Sequence, residues 1–187
     1  MSRASGDATM KKANGTEMFS RKDALQAGKF IAAIVVLFLF FGFVFSLFPL
    51  EWFEGFFASA ALWFLKLLGF KGVVVAGEPV LVYLDSFAAP LGFSYLCTGI
   101  LELTIVWSAV LASFGIDLRK RLIGVAAAAI VLVAFNFARI ISSILIIAWL
   151  GLDAGNFSHD ILFRVFLFVV IAGFYYVWFG WATKAQK

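Results

Sequence analysis

The stretch from 122 to 150 constrains this chain most: it carries no charge except Arg139 and few polar groups, Asn136 chief among them. About 20 apolar residues span the hydrocarbon of a bilayer as a helix. A run of this kind therefore predicts a membrane-crossing helix, and an arginine inside it needs a reason. A guanidinium at the middle of a membrane helix costs about 2.5–3.5 kcal/mol on insertion scales, so it marks a site unless it snorkels to the interface. Asn136, Arg139 and Ser143 follow one another at i, i+3 and i+7, which puts them on one face of the helix. A polar stripe suits a surface turned toward protein better than one turned toward lipid.

The rest of the chain has the same character. Only 14% of its residues are charged and 64% are hydrophobic, against about 25% charged in soluble domains. This composition predicts an all-α, multi-spanning transmembrane helix bundle. Apolar helices are expected over 30–48, 98–114, 122–150 and 161–181, the last ending in a belt of Tyr175, Tyr176, Trp178 and Trp181. Residues 1–29 hold six Lys and Arg and little to bury, and are read as a mobile tail. The run at 30–48 is too long for a signal-peptide core and lacks a small-residue cleavage pattern, so a retained anchor is expected.

Two segments break the pattern. The run 52–70 is apolar but interrupted by Glu54 and Lys66, and is read as an interfacial or re-entrant helix; the alternative, a true span, would put the basic N-terminal tail outside against the usual bias. After it, Val73-Val74-Val75 and Val80-Leu81-Val82-Tyr83 flank a Gly/Pro turn, which predicts a small β-hairpin outside the hydrocarbon. Residues 85–95, with Pro90 and Gly92, read as loop.

Eleven of the fifteen Lys and Arg lie in 1–29, 117–121 and the C-terminal tail. The positive-inside rule places these segments, and so both termini, in the cytoplasm of a multi-pass plasma-membrane protein. The hairpin is then extracytoplasmic, and Cys97 and His159 fall at the outer face. Arg139 stands roughly 25 Å along its helix at 1.5 Å per residue, toward that face too. Because the basic residues flank membrane segments, no nucleic-acid partner is expected.

Three groups remain to carry chemistry. Cys97, the only cysteine, stands in Ser94-Tyr95-Leu96-Cys97-Thr98-Gly99-Ile100 at the expected N-terminus of a helix, where N–H groups and the dipole favour a thiolate. Taken alone, a free cysteine is usually a small buried hydrophobe. His159, the only histidine, sits in a polar loop over 151–160 and is the one side chain suited to moving a proton near neutral pH. Glu102, about one and a half turns below Cys97, is the expected counter-ion of Arg139. Arg164, four residues after Asp160, reads as one half of an interfacial ion pair. One Cys and one His give no zinc-ligand spacing, which argues against a metalloprotease, and no P-loop, G-x-S-x-G or Rossmann glycine pattern is present, so no metal and no cofactor is expected. A thiol, a guanidinium and an imidazole can together perform acyl transfer. A transporter subunit with Asn136, Arg139 and Glu102 along a polar path, or an envelope-assembly scaffold, would use the same stripe without the thiol.

Cys97-Thr98-Gly99-Ile100, then Asn136-Phe137-Ala138-Arg139-Ile140, then His159 ahead of a final helix resemble the core of the exosortase/archaeosortase family. The resemblance covers 60–180 and includes Leu67-Leu68-Gly69-Phe70; Thr98 after the cysteine is closer to the archaeal branch. It implies that 30–183 is a transmembrane catalytic domain of a membrane cysteine transpeptidase, with Cys97, Arg139 and His159 catalytic, Asn136 and Glu102 supporting, and Arg164 as rival to His159. It further implies substrates that are secreted proteins with a C-terminal tripartite sorting signal, cleaved and transferred to a membrane-lipid acceptor. The chain is shorter than the larger members of that family.

Overall fold

Residues 21–184 are described by the computed structural model. The chain is mostly helical, and three of its helices are long and apolar enough to cross a membrane. The first is α1 (Arg21–Ser46). It begins well before the apolar run, because Lys22 to Lys29 are joined by Ala, Leu and Gln, which are good helix formers. The part of the expected tail at 21–29 is therefore helical, and 1–20 lie outside the described residues. α1 packs on the later helix α3 (Ile100–Ala112) through Phe41 and Phe45, whose rings stand 5.5 and 6.2 Å from that of Trp107.

α2 (Leu50–Leu67) is not among the three long apolar helices. Phe57, Ala58, Ala61, Leu62 and Leu65 make one buried stripe at the 3.6-residue period. That stripe packs on Val80, Val82, Leu84 and Phe93 of a small sheet and on Ile140, Ile141 and Ile144 further along. Glu54 is not an interfacial flank as its charge suggests. It is buried at 6% exposure, and Oε2 accepts the backbone N–H of Val80 at 3.3 Å, so the helix holds the start of a strand.

The sheet comprises β1 (Gly72–Val75), β2 (Val80–Leu84) and β3 (Leu91–Phe93), antiparallel in the order β1-β2-β3. The expected hairpin is its first two strands, with Val75 opposite Leu81 and Gly72 opposite Leu84. The third strand corrects the reading of 85–95 as loop. Pro90 and Gly92 weaken a strand signal, yet both are tolerated at a sheet edge.

α3 follows, thirteen residues long, about 20 Å at 1.5 Å per residue against about 30 Å of hydrocarbon. It is shorter than the 98–114 span expected. The other two long apolar helices are α4 (Leu118–Leu150) and α6 (Phe163–Lys184). They meet closely where Gly124 faces the indole of Trp178, and a Cβ there would collide with that ring. Between them, 151–160 is not a loop: α5 (Leu152–Phe157) runs into a π-helical turn, Ser158–Leu162. Its Gly, Asp, Asn and Ser composition hides that helix from the sequence.

The basic segments share one end of the molecule. Lys120 Nζ donates to the carbonyl of Ala182 at 2.9 Å, and Ser113 Oγ and Tyr175 Oη are 2.9 Å apart. Lys29 of α1 lines one cavity with Gly115, Tyr175 and Phe179.

Candidate active site

Cys97 closes a 3-10 turn, Tyr95–Cys97, directly after β3. The turn is built by its own sequence. Cys97 N donates to Ser94 O at 2.8 Å, and the hydroxyl of Thr98, buried, donates to Tyr95 O at 2.7 Å. Gly99 then takes φ +73°, which favours glycine, and α3 begins at Ile100. Cys97 thus lies in the turn three residues ahead of the helix and is not its first residue. A β-carbon on Gly99 would also press on Asn136 Cγ at 3.0 Å.

Two side chains of α4, spaced one turn apart, clamp this turn by its carbonyls. Asn136 Nδ2 donates to Cys97 O at 2.7 Å, and Arg139 Nη2 donates to Leu96 O at 3.3 Å. Asn136 and Arg139 are only 4% and 5% exposed. Arg139 is therefore bonded to backbone and not to Glu102, whose charge acts instead on Tyr95, where burial first and the carboxylate second hold the phenol above its usual pKa. The expected Glu102–Arg139 pair is corrected accordingly. The guanidinium uses one of its donors on the Leu96 carbonyl, a hydrogen bond from an ionised group. Arg139 Nε is buried with no hydrogen-bond partner.

The thiol of Cys97 lies 3.7 Å from Ser94 Oγ and forms a hydrogen bond with the imidazole of His159, carried by the π-helical turn. Burial pushes the thiol pKa up, but hydrogen bonds from His159 and Ser94 and the charge of His159 pull it further down, so the net shift is downward. A free thiol near its ordinary pKa is mostly protonated at neutral pH, and this shift moves it toward the nucleophilic thiolate. Ser94 is the contributor that motif reading missed. Its position three residues before the cysteine signals nothing until the 3-10 turn is known.

Cys97 and His159 share a cavity of about 310 Å³, walled by Pro90, Leu91, Gly92 and Phe93 on one side and by Ile140, Ser143, Ile144 and Ile147 of α4 on another. Arg139 and Asn136 are not in that wall and act on the turn from behind. Arg164 is exposed on the first turn of α6 and is not in the wall either, so His159 is the basic group brought to the thiol. Among the described residues, no three His, Cys, Asp or Glu gather as a metal site. The arrangement of thiol, hydrogen-bonded imidazole and adjoining cavity can perform nucleophilic attack and proton transfer. No known protein family, curated protein or solved structure matches the chain.

Proposed function

We propose that this chain is a multi-spanning membrane cysteine transpeptidase of the exosortase/archaeosortase type, acting on secreted proteins that carry a C-terminal sorting signal. The observation that carries the reading is the hydrogen-bonded pair of Cys97 and His159, with a depressed thiol pKa, beside a cavity. Perturbed titration at a cavity wall is where catalytic groups concentrate.

In the proposed reaction the Cys97 sulfur attacks the scissile carbonyl, and its proton resides on His159. The C–N bond breaks as the imidazolium returns that proton to the leaving amine, and the substrate's N-terminal part stays as a thioester on Cys97. An amine of a membrane lipid then attacks the thioester and gives a proton to His159, and the thiolate departs. Arg139 and Asn136 hold the turn that presents the sulfur. A misplacement of about 1 Å at a reacting group costs on the order of a hundredfold in rate, so two clamps on adjacent carbonyls are an apt device.

The orientation proposed puts both termini in the cytoplasm and Cys97 toward the outside. It is supported by Lys29, Lys120 and Ala182 lying at one end of the molecule, while Asn136 and Arg139, which hold the Cys97 turn, stand roughly 25 Å further along α4 at 1.5 Å per residue. The test is the mass of a substrate's C-terminus in cells carrying the wild-type chain or Cys97→Ala.

A further inference from the structure

The cavity beside Cys97 has one wall of a particular kind. Pro90, Leu91, Gly92 and Phe93 all line it. Successive side chains of a strand point to opposite faces, and all three residues of β3 line the cavity together with Pro90 just before it, which fits a cavity running along the strand's edge better than one over a single face. β3 pairs with β2 on one side and, among the described residues, with no strand on the other. Such an edge offers backbone N–H and C=O groups to whatever lies beside it.

The facing wall carries an unanswered polar group. Ser143 is 6% exposed, lines the cavity, and its Oγ has no hydrogen-bond partner. The α4 part of the wall is otherwise aliphatic (Ile140, Ile144 and Ile147), and Leu152 and the exposed Asn156 complete it. A cavity of about 150 Å³ holds a benzene, so about 310 Å³ admits one or two residues of extended peptide. A helix, 10–12 Å across with its side chains, does not fit.

We propose that this cavity binds an extended peptide as an added strand on β3, and that Ser143 reads a hydrogen-bonding side chain of that peptide. The proposal rests on the transpeptidase reading and names how its substrate is held. Main-chain bonds to the β3 edge supply affinity and alternate side chains supply selectivity, as in strand addition elsewhere. Ser94 alone separates β3 from the turn that carries Cys97, so a peptide in register with β3 is led to the sulfur. A threonine suits the facing wall best, its methyl against the isoleucines and its hydroxyl on Ser143 Oγ. Valine, of the same shape, would leave that hydroxyl buried and unpaired.

The experiment uses the full chain in detergent micelles and acetyl-Ala-Ala-Ala-Thr chloromethyl ketone, its valine analogue, singly N-methylated forms of each, and chloroacetone. Alkylation of Cys97 is followed by intact-protein mass, and each rate is divided by that variant's chloroacetone rate. The expected results are an advantage of about tenfold for the threonine peptide over chloroacetone and about fivefold over the valine peptide. N-methylation should cancel the advantage at alternate residues only, and Ser143→Ala should equalise threonine and valine. Peptides no faster than chloroacetone, N-methylation tolerated at every position, or threonine and valine equal in the wild type would overturn the proposal. Because chloroacetone reports the thiol alone and C-terminal processing in cells reports transpeptidation, flat peptide rates with processing intact would remove strand addition and leave the enzyme.

Discussion

Asn136 and Cys97 stand 39 residues apart and are joined at 2.7 Å, side-chain amide to backbone carbonyl, at the point where a turn presents the only thiol of the chain. The long helix α4 thereby helps set the position of the turn that carries the sulfur. Asn136→Leu keeps the shape and removes the donor. Losing a buried hydrogen bond and leaving its partner unsatisfied costs about 1–3 kcal/mol. Unfolding of the purified variant in micelles should show that loss, and substrate processing should fall because the turn is no longer clamped. Unchanged stability together with unchanged processing would remove the clamp from the account.

The thiol's titration is set by two neighbours and by burial. Its lowering contacts come from His159 and Ser94, against burial, which raises it. His159→Ala removes the imidazole's hydrogen bond and charge and leaves the Ser94 contacts and the burial, so the pH midpoint for iodoacetamide alkylation of Cys97 should move upward. Ser94→Ala should move it the same way. In the folded wild type, the depressed pKa stabilises the protein above the ordinary thiol pKa, and that contribution is lost as pH falls through the depressed value. A midpoint that stays put in His159→Ala would contradict the hydrogen bond.

Arg139 separates the enzyme from a transport protein built on the same helix face. Arg139→Lys keeps the charge but lacks the planar fork that reaches the Leu96 carbonyl. Processing should drop by about tenfold or more, in line with displacement of the nucleophile. Assayed beside Cys97→Ala, it should give a partial loss against a complete one. A transporter would respond to Arg139→Lys and ignore Cys97→Ala.

Legibility in the sequence followed the range of the signal. The apolar runs that became α1, α4 and α6 and the Val-rich pair around the Gly/Pro turn were readable, because hydropathy and β-branching are local. β3 was hidden by Pro90 and Gly92, and α5 by residues that favour turns in isolation; in both cases packing against neighbours decides the backbone. Cys97, Asn136, Arg139 and His159 were legible as residue types out of place in apolar surroundings. What joins them was not: the carbonyls that Asn136 and Arg139 hold belong to backbone, which leaves no trace in composition. Ser143 was legible as part of the polar stripe but its orphaned hydroxyl was not, and Ser94 was invisible as a site residue, since each matters through a partner, or the lack of one, supplied by the fold.

The most direct measurement is the intact mass of a secreted protein's C-terminus in cells expressing either the wild-type chain or Cys97→Ala. The account predicts a truncated, lipid-modified C-terminus with the wild type and the full-length precursor with the variant, both forms of this protein remaining in the membrane. A truncated, modified C-terminus in the Cys97→Ala cells would contradict it.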